Sequence, residues 1–357
     1  DLHGVSPMDY LTTRRLLLAK QLLTDTPLPV TRIALASGFA SLRRFNAAFL
    51  ARYRLSPTSL RRQGRENPTP DLVTVRLAYR PPCDTAGLLR FFAARALPGV
   101  ETVDGYSVRR TLALSHQGLP LAGWVAALFV PARHEVELQV APMLLPALGA
   151  ILQRVRQAFD LDADPSQIDP VLARVRMPAR PGIRLPGGMD GFEVAVRAIL
   201  GQQVSVAAAR TLTLRLVERF GTAIPTPFPD LHHLFPDAAT LAAARPDAIG
   251  RLGIVRQRVR ALQALAGAVA EGRIVLHRGA PLAATLEALR ALPGVGEWTT
   301  ELIAMRALAW PDAVPASDIG VVNALGTRDL PRVRALAEQW RPWRSYAVMR
   351  LWQALEK

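Results

Sequence analysis

One stretch of the chain combines groups that could act on an anionic substrate. It begins with Pro-Gly-Val-Gly at residues 293–296. Glycine permits a positive φ and a close approach of the backbone, so this tetrapeptide predicts a tight turn between two helices. We expect the three amides after the proline to point outward at the N-terminus of the second helix, where they would bind a phosphate. These are the amides of Gly294, Val295 and Gly296.

Asp318 is the candidate catalytic group of the same stretch. An ionised carboxylate can stabilise a developing positive charge and can orient or deprotonate water. Taken alone, an aspartate in front of an apolar run is simply a helix N-cap. Asp318 follows the glycine turn and the second helix by a short loop, and this order and spacing favour the catalytic interpretation.

Two helices must position these groups. Residues 282–291 form a helix-favouring run before the turn. After the turn, side chains recur at i, i+4, i+7 and i+11, which predicts an amphipathic helix. Those side chains are Trp298, Leu302, Met305 and Ala309.

The charge of the chain indicates a polyanionic partner. A length of 357 residues is enough for about two or three domains. The formal net charge is +15, and the only lysines are Lys20 and Lys357, so arginine supplies nearly all of the positive charge. Such a charge favours nucleic acid or an anionic membrane surface as the partner. A basic surface without a binding function remains the alternative.

The sequence predicts no metal site built from side chains and no required cofactor. The single cysteine, Cys83, excludes disulfides within one chain, a four-cysteine iron–sulfur cluster and a thiolate-rich zinc site. His232 and His233 lack the i, i+4 spacing of two ligands on one helix face. The longest apolar run, residues 140–152, is too short for a bilayer and is interrupted by two prolines, so we expect a buried helix. Because no secretory signal is visible, we expect a cytoplasmic protein.

The first 66 residues form a basic unit. A helix is predicted at about residues 7–23, and two short helices joined at a glycine follow it, which is the pattern of a helix-turn-helix. Residues 33–62 resemble the second helix-turn-helix of AraC-type DNA-binding domains, whereas the first motif of that family is missing. A small helical bundle with a basic face is the alternative. The side chains that would enter the major groove are Arg43, Arg44 and Asn46.

Residues 71–181 alternate between strand and helix patterns, which predicts an antiparallel α+β domain. A proline-containing linker at residues 67–70 precedes it, and residues 182–357 are almost wholly helical in pattern. The predicted fold class is therefore mainly α, with one α+β unit. The predicted strands are residues 73–79, 106–114, 123–130 and 134–140, and the predicted helices of this domain are residues 84–97 and 145–159.

Several motifs between residue 72 and the C-terminus resemble the AlkA family of 3-methyladenine DNA glycosylases, in the helix-hairpin-helix superfamily. They are residues 91–95, residues 182–206, the glycine turn with Asp318, and residues 340–347. The resemblance implies a monofunctional base excision repair enzyme. It would hydrolyse the N-glycosidic bond of alkylated bases in duplex DNA after flipping the nucleotide out. The alternative is an AraC-type transcriptional regulator whose glycosylase-like domain is inactive.

The resemblance also implies roles for individual residues. Trp298, Trp352 and Phe91 would line the base pocket, where electron-rich rings favour a cationic base. Gln202 and Gln203 would fill the gap that the flipped nucleotide leaves. Glycosylases that also cut DNA use a lysine just after the hairpin, and position 298 holds tryptophan instead, so no Schiff-base nucleophile is expected.

The resemblance further implies a monovalent cation on backbone carbonyls of the hairpin, at Arg290, Leu292 and Val295. Leu302 and Ile319 stand where the family has tyrosines, which predicts a less aromatic pocket. The expected partner is duplex DNA with alkylated bases, bound by a monomer, and no membrane is expected.

Overall fold

The computed structural model describes residues 6–26, 28–62, 73–175 and 180–355. The predicted linker at residues 67–70 and the predicted boundaries at residues 66 and 71 lie outside this part of the chain. The described residues form an N-terminal group of helices, a sheet with flanking helices, and a C-terminal helical part. The predicted fold class is confirmed. None of the described helices combines the length and the apolar character needed to cross a lipid bilayer.

The N-terminal part contains the predicted helix-turn-helix. Ser41 caps the third helix, because its hydroxyl accepts a hydrogen bond from the amide of Arg44 (3.3 Å). Arg43, Arg44 and Asn46 are exposed on that helix, as contact with a DNA groove requires. The four helices are α1 (Pro7–Asp25), α2 (Val30–Ala36), α3 (Leu42–Tyr53) and α4 (Pro57–Arg62).

The α+β part contains a five-stranded antiparallel sheet with the order β1-β5-β4-β3-β2. The sequence pattern predicts four of these strands and misses β2, whose four residues are too few to establish an alternation. The strands are β1 (Val73–Ala78), β2 (Glu101–Asp104), β3 (Ser107–His116), β4 (Leu119–Val130) and β5 (Glu135–Val140). The helices are α5 (Thr85–Arg95), α6 (Leu148–Ala158) and α7 (Pro165–Leu172).

The predicted buried helix at residues 140–152 is wrong in its first half. Val140 ends β5, and Pro142–Ala147 form a 3-10 helix before α6 begins at Leu148. Proline has no N–H to donate inside an α-helix, so the two prolines of this segment delay the start of α6.

The C-terminal part is helical, as predicted, apart from one pair of two-residue strands. The helix after the glycine turn is shorter than the apolar pattern predicts, since α14 ends at Arg306 and Ala309 lies outside it with a φ of +52°. The amide of Trp310 donates to the carbonyl of Ala304 (2.9 Å) across this left-handed residue, which closes the helix end. The helices are α8 (Gly191–Leu200), α9 (Val206–Phe220), α10 (Ala238–Ala243), α11 (Pro246–Gly250), α12 (Arg256–Ala270), α13 (Leu282–Arg290), α14 (Glu297–Arg306), α15 (Ile319–Leu325), α16 (Leu330–Ala337) and α17 (Arg344–Leu355), and the strands are β6 (Thr222–Ala223) and β7 (His233–Leu234).

The helix-turn-helix packs directly against the sheet. Leu22 of α1 belongs to the same apolar core as Val75 of β1. The side-chain amide of Gln21 donates to the backbone carbonyl of Arg76 (2.6 Å) at the edge of the sheet. At the start of α6, a Cβ added to Gly149 would lie 3.0 Å from a backbone carbonyl of α2. The two parts therefore form one packed body.

Candidate active site

The glycine turn joins two helices, as predicted. Helix α13 ends at Arg290, and α14 begins at Glu297 with Gly296 as its N-cap. Gly294 has a φ of +77°, and a Cβ at this residue would lie 3.2 Å from the Cβ of Ala261. The backbone conformation and the close neighbour both favour glycine here.

Two of the three predicted phosphate-binding amides are available. Val295 is buried, and its N–H donates to the carbonyl of Leu292 (3.2 Å). The N–H of Val295 therefore does not point outward as expected, because it takes part in the hydrogen bond that closes the turn. Within the described part of the chain, the N–H groups of Gly294 and Gly296 have no hydrogen-bond acceptor. These two amides are the donors available to an anion at the start of α14.

The two predicted gap-filling glutamines differ in their surroundings. The side-chain amide of Gln202 donates to the carbonyl of Gly294 (2.8 Å) and to the hydroxyl of Thr299 (2.9 Å). Gln202 therefore braces the hairpin, a role that the sequence does not reveal because the partners are more than 90 residues away. Gln203 is exposed, with a φ of +53°.

Asp318 is the N-cap of α15 and also the centre of a hydrogen-bond cluster. Its Oδ1 accepts from the amides of Gly320 (2.9 Å) and Val321 (3.2 Å) and from the indole N–H of Trp352 (2.8 Å). Its Oδ2 accepts from the indole N–H of Trp298 (2.9 Å). A carboxylate oxygen has two lone pairs, so Oδ2 keeps acceptor capacity for a further group. The cap and the candidate catalytic group are thus the same residue.

Gly320 permits the contact between Trp352 and Asp318. A Cβ at this position would lie 2.8 Å from Cδ1 and 3.1 Å from Nε1 of the Trp352 indole. Any side chain at position 320 would therefore displace the indole. Sequence reasoning missed Gly320, because a single glycine near the start of a helix carries no specific signal.

The loop between α14 and Asp318 is held by several polar contacts. The hydroxyl of Ser345 accepts from the amide of Ala313 (2.9 Å) and donates to the carbonyl of Trp310 (2.8 Å). The carboxylate of Glu301 accepts from the amide of Val314 (3.1 Å), and burial raises the pKa of this carboxyl. These contacts fix the segment that carries Asp318.

Known proteins match nearly the whole chain. Profiles of a helix-turn-helix domain, the AlkA N-terminal domain and the HhH-GPD superfamily of base excision DNA repair proteins match residues 1–63, 74–190 and 196–335. A probable bifunctional transcriptional activator/DNA repair enzyme AlkA from Mycobacterium tuberculosis is 38% identical over 99% of this chain and 72% of its own length. DNA-3-methyladenine glycosylase 2 from Escherichia coli is 36% identical over 77% of this chain and 95% of its own length.

The chain belongs to the AlkA family of DNA glycosylases. The 3-methyladenine DNA-glycosylase from Archaeoglobus fulgidus has the same fold, with a TM-score of 0.64 at 20% identity over 78% of this chain and 96% of its own. The chain is therefore a DNA-binding enzyme of base excision repair with an N-terminal helix-turn-helix.

Phe91 lies between two arginine side chains in this AlkA-family structure. It is buried in the same apolar core that Trp352 packs against. The guanidinium groups of Arg95 and Arg306 lie over its ring, 3.7 and 4.8 Å from the centroid. The ring is thus fixed by two cations, whereas both tryptophans contact Asp318 directly.

The two residues that we expect in place of the family's tyrosines differ in exposure. Leu302 is half-buried against the apolar core of α8 and α12. Ile319 follows Asp318 and is 63% exposed, so its apolar side chain is available to a bound molecule. In the described residues, no group of three or more His, Cys, Asp or Glu side chains is placed to hold a metal ion.

Proposed function

We propose that the chain, as a monomer, removes alkylated bases of the 3-methyladenine type from duplex DNA by hydrolysis. One observation carries this proposal. The carboxylate of Asp318 is held by the indole N–H groups of Trp298 and Trp352, and its Oδ2 retains acceptor capacity. Excision of a cationic base needs a negative group to stabilise positive charge on the sugar and aromatic rings to bind the base. A fixed carboxylate beside two aromatic rings provides both.

The chemistry follows from the charge of the substrate. An alkylated purine such as 3-methyladenine is cationic in DNA, so it leaves with the electron pair of the C1′–N bond and becomes neutral. Positive charge then develops on the deoxyribose, and Oδ2 of Asp318 is the group that stabilises it. Water adds to C1′, and its proton passes to the same oxygen. Position 298, just after the hairpin, holds tryptophan instead of lysine, so hydrolysis without strand cleavage is the expected outcome.

The two indoles select the base. Because each N–H is tied to Asp318, the ring orientations are fixed before substrate binds. An aromatic face attracts a cation placed over it, which favours the alkylated base over a neutral one. Phe91 would close the pocket from the buried side, and the exposed side chain of Ile319 would add an apolar contact.

The hairpin binds the DNA backbone in this proposal. The amides of Gly294 and Gly296 would donate to a phosphate, with the positive end of α14 behind them. The carbonyl of Leu292 keeps a lone pair after accepting from Val295. It would hold a monovalent cation together with the carbonyls of Arg290 and Val295, since oxygen donors suit a hard cation. Such an ion would supply positive charge for the phosphate and take no part in the hydrolysis.

Gln203 is the better candidate for filling the gap in the duplex. Its side chain is exposed at the turn beside the hairpin, whereas the side chain of Gln202 is occupied by Gly294 and Thr299. A polar side chain can replace part of the hydrogen bonding of the flipped base. In this division of roles, Gln202 positions the hairpin and Gln203 enters the DNA.

The N-terminal helix-turn-helix supports a second DNA-binding function in the same chain. Its exposed residues Arg43, Arg44 and Asn46 suit a major groove. A regulator with an inactive glycosylase-like domain is less well supported, because the cluster around Asp318 exceeds what a helix cap requires.

Asp318→Asn tests the catalytic role. Asparagine still caps α15 through its oxygen, but it carries no charge to stabilise the sugar. We expect single-turnover release of 3-methyladenine from methylated duplex DNA to fall by about 10² to 10³.

Asp329→Asn is the matched control. Asp329 caps α16 by accepting from the amide of Arg332 (3.2 Å), and it is exposed. If Asp318→Asn and Asp329→Asn release 3-methyladenine at equal rates, Asp318 is only a helix cap. The proposed function then loses its support.

A further inference from the structure

One carboxylate of α14 lies between the hairpin and the segment that leads to Asp318. Glu301 is in the same helix as Trp298 and follows it by about one turn. Its side chain is only 13% exposed. A carboxylate this deeply buried is costly to keep ionised unless hydrogen-bond donors compensate it. Glu301 therefore depends on its partners for its charge.

Each oxygen of Glu301 has one such partner. Oε2 accepts from the backbone amide of Val314 (3.1 Å), and Oε1 accepts from Nη2 of Arg290 (3.3 Å). Burial raises the pKa of Glu301, whereas the Val314 amide and the Arg290 guanidinium act in the opposite direction and favour the ionised form. Arg290 is the last residue of α13 before the glycine turn. The carboxylate is thus held on one side by the hairpin and on the other by the loop before Asp318.

Val314 begins a short run of turns that ends at Asp318. The carbonyl of Val314 accepts from the amide of Ala316 (2.9 Å), and the carbonyl of Pro315 accepts from the amide of Asp318 (2.8 Å). Val314 and Ala316 are also buried. Two successive hydrogen-bonded turns leave the backbone little freedom. A displacement of Val314 would therefore displace Asp318 as well.

No other side chain takes the place of Glu301 in this part of the loop. The hydroxyl of Ser345 contacts the backbone of Ala313, one residue before Val314. Among the described residues, Glu301 is the last side chain that hydrogen-bonds to the loop backbone before Asp318. The final approach of the chain to the carboxylate depends on this one contact.

We propose that Glu301 is a positioning residue for base excision, which places the Asp318 carboxylate by holding the amide of Val314. Helix α14 then acts on Asp318 in two ways. The indole of Trp298 contacts the carboxylate, and Glu301 fixes the backbone that carries it. The inference rests on the proposed function, because Glu301 affects the rate only through Asp318.

Three substitutions separate the contact with Val314 from the charge of Glu301. Glu301→Ala removes the acceptor, so single-turnover release of 3-methyladenine at saturating enzyme should fall about 10- to 100-fold, the scale of a small misplacement of a catalytic group. Glu301→Gln keeps an oxygen that can accept from Val314 and should retain most of the rate. Glu301→Asp keeps the charge but is one methylene shorter, so its rate should fall towards that of Glu301→Ala. The Kd for methylated DNA should change little in all three variants.

A double substitution tests whether Glu301 acts through Asp318. In an Asp318→Asn background, Glu301→Ala should cause no further loss of rate, because the charge that Glu301 positions is absent. Glu287→Ala is the control. It removes an exposed carboxylate from α13 and should leave the rate unchanged.

A faster rate for Glu301→Asp than for Glu301→Gln would overturn the proposal, because the charge and not the contact with Val314 would then set the rate. An equal loss from Glu301→Ala in the wild-type and Asp318→Asn backgrounds would also overturn it. The aspartate and glutamine variants decide the question even if Glu301→Ala fails to fold. A wild-type rate for Asp318→Asn alone would overturn the proposed function and this inference together, whereas the other two results, obtained with a defective Asp318→Asn variant, overturn the inference alone.

Discussion

Replacement of Gly320 by alanine should impair catalysis while leaving the fold intact. Gly320 lies in the first turn of α15 and does not have a positive φ, so alanine fits the backbone. The added Cβ would lie 2.8 Å from Cδ1 of Trp352, whereas ordinary contact begins at 3.4 Å. The indole must therefore withdraw by about 0.6 Å, the difference between these two distances.

This displacement breaks one hydrogen bond to the carboxylate. The distance from the indole N–H of Trp352 to Asp318, now 2.8 Å, becomes about 3.4 Å, which is beyond normal hydrogen-bond length. A hydrogen bond to a charged group contributes about 1.5–3 kcal/mol. If that contribution is needed in the transition state, the excision rate falls roughly 10- to 100-fold. Alanine favours a helix over glycine by about 1 kcal/mol, so Tm should change little.

Single-turnover excision at saturating enzyme, together with Tm, measures both effects. Gly250→Ala is the control, because a Cβ at Gly250 meets no atom within 4 Å. In a Trp352→Phe background, which lacks the indole N–H, Gly320→Ala should cost much less. A folded Gly320→Ala variant with the wild-type rate would refute the role assigned to the Trp352–Asp318 contact.

Three further predictions concern the hairpin, pH and the N-terminal unit. Gln202→Ala removes two hydrogen bonds that hold the hairpin in place, so the Kd for DNA should rise about tenfold. Fluorescence anisotropy measures this Kd, and an unchanged value would contradict the role assigned to Gln202. Burial raises the pKa of Asp160 from 3.8 to about 6. The protonated carboxyl therefore stabilises the folded state by about 3 kcal/mol below the ordinary pKa, and this stabilisation is lost as pH rises through 6. Asp160→Asn should therefore reduce the difference in unfolding free energy between about pH 4 and about pH 7.5, measured in urea; an equal difference would contradict the assignment. Deletion of residues 1–66 removes eleven basic and four acidic side chains, a net charge of +7, so the salt dependence of DNA affinity should become shallower. Base excision should persist. The Tm should fall, because the sheet loses the apolar helices that pack against it.

The elements that the sequence predicts well are those with a local signal. The glycine turn, the helix-turn-helix and the cap at Asp318 each depend on residues close together in the chain. The apolar spacing predicts a helix that extends to Ala309, because this spacing continues beyond the point where a left-handed residue closes the helix. Strand β2 is too short for its sequence to predict it.

The features that the sequence does not predict depend on distant contacts. Trp298 and Trp352 can be identified as pocket residues by resemblance, but their hydrogen bonds to one carboxylate follow from how α14, α15 and α17 pack together. The bracing role of Gln202 joins α8 to the hairpin.

The packing of the helix-turn-helix against the sheet has a consequence for how the protein searches DNA. Because α1 and α2 pack against β1 and α6, the axis of α3 has one direction relative to Asp318 in this structure. A duplex gripped by α3 presents each base pair at a fixed rotational phase, which repeats about every 10.5 base pairs. On that duplex, Asp318 can reach nucleotides at one phase only, unless the DNA bends. If α3 binds DNA as proposed, lesions at other phases are accessible only to molecules whose α3 is not engaged, so the two DNA-binding functions compete for the same protein.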